Sequence, residues 1–159
     1  MLKQLSISFA ATAVLMLASC GQGDVLRADN AVVKVSPVEG NPSVAYMDLH
    51  GGRVEVDLVS VTSDDVVRME MHETTEEDGM AMMRPVKSIN ILPGAKVKME
   101  PGGKHLMLWG VSDGAIKRGL LQFKLIYSND DRILIDAVIQ KPTPAGTETG
   151  DDKAESSAE

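Results

Sequence analysis

Polar and apolar residues alternate through most of the middle of this chain. Residues 53–58, Arg-Val-Glu-Val-Asp-Leu, change character at every step, the two-residue period of a strand with one face buried and one wet. The phase slips by one at Leu58-Val59, and Val59-Ser60-Val61 continues in the opposite register; a bulge or bend near Val59 produces such a slip. Ala45, Met47 and Leu49 alternate in the same way, as do Val67, Met69 and Met71. Further strands are expected over 32–35, 89–92, 96–99, 105–111, 120–127 and 132–139. Turn signals separate them at Gly51-Gly52, Ser63-Asp64-Asp65, Pro93-Gly94, Pro101-Gly102-Gly103, Asp113-Gly114 and Asn129-Asp130. Residues 73–79 read as a polar loop that brings the next segment back past His72. No segment shows a helical stripe, and no internal repeat is visible. Many short strands with such breaks predict an all-β fold, a single antiparallel Greek-key β-sandwich or barrel.

The two ends follow other rules. Behind Lys3, residues 5–17 are mostly apolar, a run too short for a bilayer span of about 20 residues and suited to a signal peptide over 1–19. Leu17-Ala18-Ser19-Cys20 looks like a bacterial lipobox, with cleavage before Cys20 and acylation of its sulfur. An ordinary cleaved leader with a free Cys20 is the other reading. Several acyl chains on one residue hold a protein to a membrane where a single chain holds marginally. The expected location is therefore the periplasm, anchored by lipid, with Gly21 mildly favouring the outer membrane. Residues 20–30 read as the lipidated cysteine and a tether, 31–141 as one domain, and 142–159 as a disordered acidic tail without a large apolar residue.

Composition narrows the chemistry. Cys20 is the single cysteine; once committed to lipid it leaves no thiol for a disulfide, a zinc cluster or a redox pair. A blue-copper centre, which needs a cysteine thiolate beside its histidines, is excluded for the same reason. The net charge is −7. Removing Lys3 with the leader gives −8, and the tail, with five acids and one lysine, takes −4 of that, so the domain also carries −4. A mildly acidic surface argues against nucleic acid. His72-Glu73-Thr74-Thr75-Glu76 lacks the second histidine of a zinc-protease helix. No Ser-His-Asp cue, phosphate loop or paired carboxylates suggest catalysis, and the expectation is a protein that is not an enzyme.

What remains is a soft ligand set. His72, Met83, His105 and Met107 stand in the order His-x10-Met-x21-His-x-Met. Imidazole and thioether favour Cu(I) over harder divalent ions, and neither can be lost to a disulfide in an oxidising compartment. Residues two apart on a strand share a face about 7 Å apart, so His105, Met107 and Trp109 should share one face with Leu106 and Leu108 on the other. His72 is expected at the end of its strand, on the Arg68/Glu70 face and accessible to solvent. The geometry implied is a shallow site at one end of the sandwich. Histidine ligation also predicts that metal affinity falls in acid, because imidazolium cannot bind. Methionine is more often core filler, and Met47, Met69, Met71 and Met99 fall in apolar phase. His50 reads as a surface turn residue. Met80 and Met82 stay open as auxiliary thioethers.

These residues carry a resemblance. His72, Met83 with Arg84-Pro85-Val86, and Pro101-Gly102-Gly103-Lys104-His105-Leu106-Met107-Leu108 resemble the PCuAC family of periplasmic copper chaperones over about residues 31–140. The resemblance implies a cupredoxin-like β-sandwich that holds one Cu(I) through His72, Met83, His105 and Met107. It implies delivery to the dinuclear copper site of cytochrome c oxidase, alongside Sco-type proteins; apart from the resemblance, a monomer is expected. The chain departs from the pattern in a shorter turn at 50–52, in Trp109 where Met or an aliphatic is common, and in a tail without the His-rich extension of some relatives. A copper-sequestering lipoprotein and a metal-free β-sandwich interaction module are the rival readings.

Overall fold

A computed structural model describes residues 25–77 and 79–140. The leader, Cys20 and the acidic tail lie outside the described residues. The strands are β1 (Arg27–Lys34), β2 (Ser43–His50), β3 (Val56–Thr62), β4 (Val66–Glu77), β5 (Met80–Pro85), β6 (Ile89–Ile91), β7 (Lys96–Met99), β8 (Lys104–Val111), β9 (Leu120–Tyr127) and β10 (Arg132–Gln140), with a short helix α1 (Asp113–Arg118) before β9. They join in one sheet in the order β5-β4-β8-β7-β2-β1-β10-β9-β3-β6. Pairing is antiparallel except where β10 returns parallel to β1 and where β7 abuts β8. The sheet folds over one core. Ala45, Met47 and Leu49 of β2, Leu106 and Leu108 of β8, Leu121, Phe123 and Leu125 of β9 and Leu58 of β3 are all buried within it. Each of those runs alternates inward and outward, as the sequence pattern requires. Met47, Met71 and Met99 are core residues, and Met69 packs against them.

The slip at Val59 is a bulge. The β3–β9 ladder pairs Leu58 with Tyr127, then shifts register to pair Ser60 with Ile126, and Val59 is left 40% exposed. The strand itself starts at Val56 rather than Arg53. At the other boundary β1 starts at Arg27, four residues before the expected domain edge, because Arg27 and Ala28 pair with His50 and Leu49 of β2.

Residues 73–77, expected as part of a loop, are strand. β4 continues to Glu77 and pairs with β5 through to Glu77 opposite Met80, where Gly79 takes φ +75°. The Asp-Gly pair at 78–79 is a sequence signal for a hairpin between such strands. Helix α1 is too short to show a periodic stripe. It exists through its caps: Ser112 Oγ accepts from the Ala115 N–H, and Gly119 closes the other end at φ 74° with its N–H on the Ala115 carbonyl.

One irregularity positions the site. β7 and β8 both pair antiparallel with β2, with Met99 opposite Met47 and Leu106 opposite Ala45. They form one interrupted strand in which residues 100–105 stand against the single residue Tyr46. The excursion is closed by the Gly103 N–H donating to the Glu100 carbonyl at 3.0 Å, with Gly102 at φ 79°. Pro at the second position and glycine at positive φ at the third make this a type II turn. It delivers His105 directly after the break.

Candidate metal centre

Strand pairing places the four candidate residues on one face of the β5-β4-β8 ribbon. His72 of β4 lies directly opposite His105 of β8, and Glu70 lies opposite Met107. On the other side of β4, His72 faces Pro85 and Thr74 faces Met83. Directly paired residues share a face, with Cβ atoms about 4.5–5.5 Å apart. The histidine pair is therefore central. Met107 is one rung along on β8, and Met83 is one rung along in the other direction on β5. Leu106, Leu108 and Met71 point the other way, into the core.

The two imidazoles face each other with ring centroids 6.0 Å apart and planes inclined by 32°. That leaves room for an ion between them. His105 is buried, and the His72 side chain is only 12% exposed. The sequence reading put His72 at a strand end open to solvent; because β4 runs on to Glu77, His72 sits mid-strand with β5 and β8 on either side.

Hydrogen bonding assigns the nitrogens. His105 Nδ1 lies 3.0 Å from the Gly103 carbonyl, and His72 Nε2 lies 3.0 Å from Glu70 Oε2. A carbonyl and a carboxylate can only accept, so each of these nitrogens carries a proton, and in the neutral ring, the form that can bind a metal, the second nitrogen does not. The other nitrogens, His105 Nε2 and His72 Nδ1, are then bare lone pairs. Both are buried with no hydrogen-bond partner. Buried polar atoms in native proteins are almost always satisfied, and two orphans on facing rings fit a soft cation that accepts both lone pairs. Among the described residues no three of His, Cys, Asp and Glu gather into a metal-binding group. Met107, half-buried, and Met83, 52% exposed, supply the two thioethers on that face.

The remaining expectations sort cleanly. Met80 and Met82 pair with Glu77 and Thr75, on the face of the hairpin opposite the histidines. His50 is no free turn residue. It ends β2 and holds Asp29 through Nε2 at 3.1 Å, a contact that, with Arg27, keeps the Asp29 carboxyl below its ordinary range. Trp109 shares the histidine face, but its ring is covered by Arg68, the residue paired with it on β4, whose guanidinium carbon lies 3.9 Å from the ring centroid. Two contributors were not read from the sequence: Glu70 and the Gly103 carbonyl. Glu70, alternating with Arg68, has the signature of an ordinary solvated strand face, and a backbone carbonyl has no signature at all.

Comparison with known proteins agrees with this architecture. The family model described as LpqE-like lipoprotein matches residues 26–139. No curated protein matches the chain. Among solved structures, the solution structure of Cu(I)-DR1885 from Deinococcus radiodurans superposes with a TM-score of 0.59 at 20% identity, covering 77% of this chain and 83% of that one. The copper-bound PCuAC domain from PmoF2 gives 0.58 at 20% identity, covering 74% and 97%. The apo PCuAC domain from PmoF1 gives 0.57 at 18% identity, covering 74% and 94%. At these identities the likeness is one of fold, and it is the cupredoxin-like fold expected from the sequence.

Proposed function

The chain belongs to the LpqE-like lipoprotein family, and from that footing we propose that it is a copper chaperone binding one Cu(I) through His72, Met83, His105 and Met107. The observation that carries the reading is the facing histidine pair, each ring pinned at one nitrogen and bare and buried at the other. Two neutral nitrogens and two thioethers make a donor set that suits a monovalent soft ion and offers little to a hard one. The solved copper-bound relatives of the same fold support the same cargo.

The depth of the ligands fits carriage. The nitrogens lie deep while Met83 lies open on β5, every residue of which is exposed. An incoming ligand displaces Met83 first and the buried rings last, so copper passes by exchange without ever being free. Buried nitrogens with an open thioether suit a carrier, which must release its ion intact. The family's lipoprotein character supports attachment through Cys20 on the periplasmic side of a bacterial membrane. There the dinuclear copper site of cytochrome c oxidase is the proposed acceptor, with Sco-type proteins as co-workers.

The decisive experiment is anaerobic Cu(I) competition against a chelator. The native protein takes one equivalent. His105→Ala/Met107→Ala loses affinity by more than about a hundredfold, since direct ligands contribute more than the outer partners whose loss costs about 10–100-fold. Equal affinities in the two proteins would overturn the assignment. Incubation of the loaded protein with the apo oxidase subunit tests the acceptor: copper retained by the donor would point to sequestration.

A further inference from the structure

The two histidines reach the site by different nitrogens, and the cause of the difference at His72 is a side chain. We propose that Glu70 is a positioning residue that commits His72 to bind copper through Nδ1. This inference rests on the copper reading above and extends it to a residue that does not itself touch the metal.

The geometry is specific. Glu70 and His72 are two apart on β4 and share its outer face. Glu70 Oε2 accepts from His72 Nε2 at 3.0 Å, which leaves Nδ1, the nitrogen nearer the backbone, buried without a partner on a ring whose centroid lies 6.0 Å from that of His105. Without that bond a neutral imidazole distributes its proton between the two nitrogens, and the ring can rotate about its bond to Cβ. Glu70 is itself braced: Arg68 NH1 lies 3.4 Å from Oε1, and the Arg68 guanidinium is seated on the Trp109 ring. A chain of contacts thus runs from Trp109 through Arg68 and Glu70 to His72. His105 needs no such device, because the Gly103 carbonyl fixes its ring through the backbone.

Fixing the tautomer has two consequences. It supplies a lone pair already aimed at the ion, so less ordering is left for the binding step. It also gives the pair an asymmetric geometry, with Nδ1 from one strand and Nε2 from the next, which sets where the thioethers must approach. Glu70 lies opposite Met107 in the ladder, so a carboxylate freed from His72 would intrude on the same space.

The test uses the full chain in its metal-free and Cu(I)-loaded states. Nitrogen-15 NMR in mildly alkaline buffer reads the His72 tautomer before any metal is added. The native protein should show the proton on Nε2. Glu70→Ala should show a mixed or reversed tautomer and a Cu(I) affinity lower by about tenfold to a hundredfold. Glu70→Gln, whose amide oxygen can still accept from Nε2, should keep the native tautomer and most of the affinity. An unchanged tautomer and unchanged affinity in Glu70→Ala would overturn the proposal while leaving the copper site standing. A native protein that binds no Cu(I), with the His72 tautomer still set by Glu70, would instead overturn the reading on which it rests.

Discussion

Tyr127 shows what a single buried polar atom does to this domain. Its hydroxyl is buried with no hydrogen-bond partner among the described residues, and burial, aided by Asp131, pushes its pKa up from 10.0 to about 12. The raised value means the folded state favours the neutral phenol. The resulting stability is fully present below pH 10 and is lost as the pH rises through about 12, a change of about 2–3 kcal/mol. Tyr127→Phe removes an unsatisfied group without leaving a cavity. Denaturant melts should place it level with the native protein or above it by about 1 kcal/mol at neutral pH, with a flatter decline at alkaline pH. The orphan nitrogens of His72 and His105 carry the opposite lesson, since their lack of a partner is what suits them to the ligand role proposed here. A residue's type is legible in a sequence; its hydrogen-bond partner is not. His105 and Met107 follow from a period of two, whereas the opposition of His72 to His105 depends on the register between β4 and β8, and Glu70 on a rotamer.

Among the elements, the Pro101-Gly102-Gly103 turn links fold to site. Gly102 holds φ 79° with nothing within 4 Å of the place a Cβ would take, so Gly102→Ala meets no clash and pays only for the left-handed backbone. The expected loss is about 1–2 kcal/mol, seen as a melting temperature lower by roughly 3–8 °C. Because His105 follows two residues after Gly103, Cu(I) affinity should fall in the same variant. Strands with clear alternation at both ends were legible at their true boundaries: β7 and β9 are where the pattern puts them, and the bulge at Val59 is where the phase slips. β4 was read short because Glu73, Thr74, Thr75, Glu76 and Glu77 carry no apolar rhythm. That stretch is half of an exposed ribbon held by pairing with β5 rather than by burial, and the turn signal at 78–79 was the better guide. Helix α1 escaped notice for a related reason, since six residues with good caps need no amphipathic stripe.

On the scale of the whole molecule, one core serves every strand except β5, whose residues are all exposed, and in the proposed reading the ion binds only the folded form. Free Cu(I) at a hundred times its dissociation constant should therefore add about 2.7 kcal/mol of stability, a rise in melting temperature on the order of 10 °C for a domain of this size. A calorimetric scan showing no shift would favour the metal-free interaction module. Copper and the sheet are coupled through one atom in particular. The Gly103 carbonyl accepts from the Thr74 N–H at 3.1 Å as well as from His105 Nδ1. The same oxygen that stitches one strand to the next also holds an imidazole, so in the proposed copper site fraying that seam would also loosen the cargo.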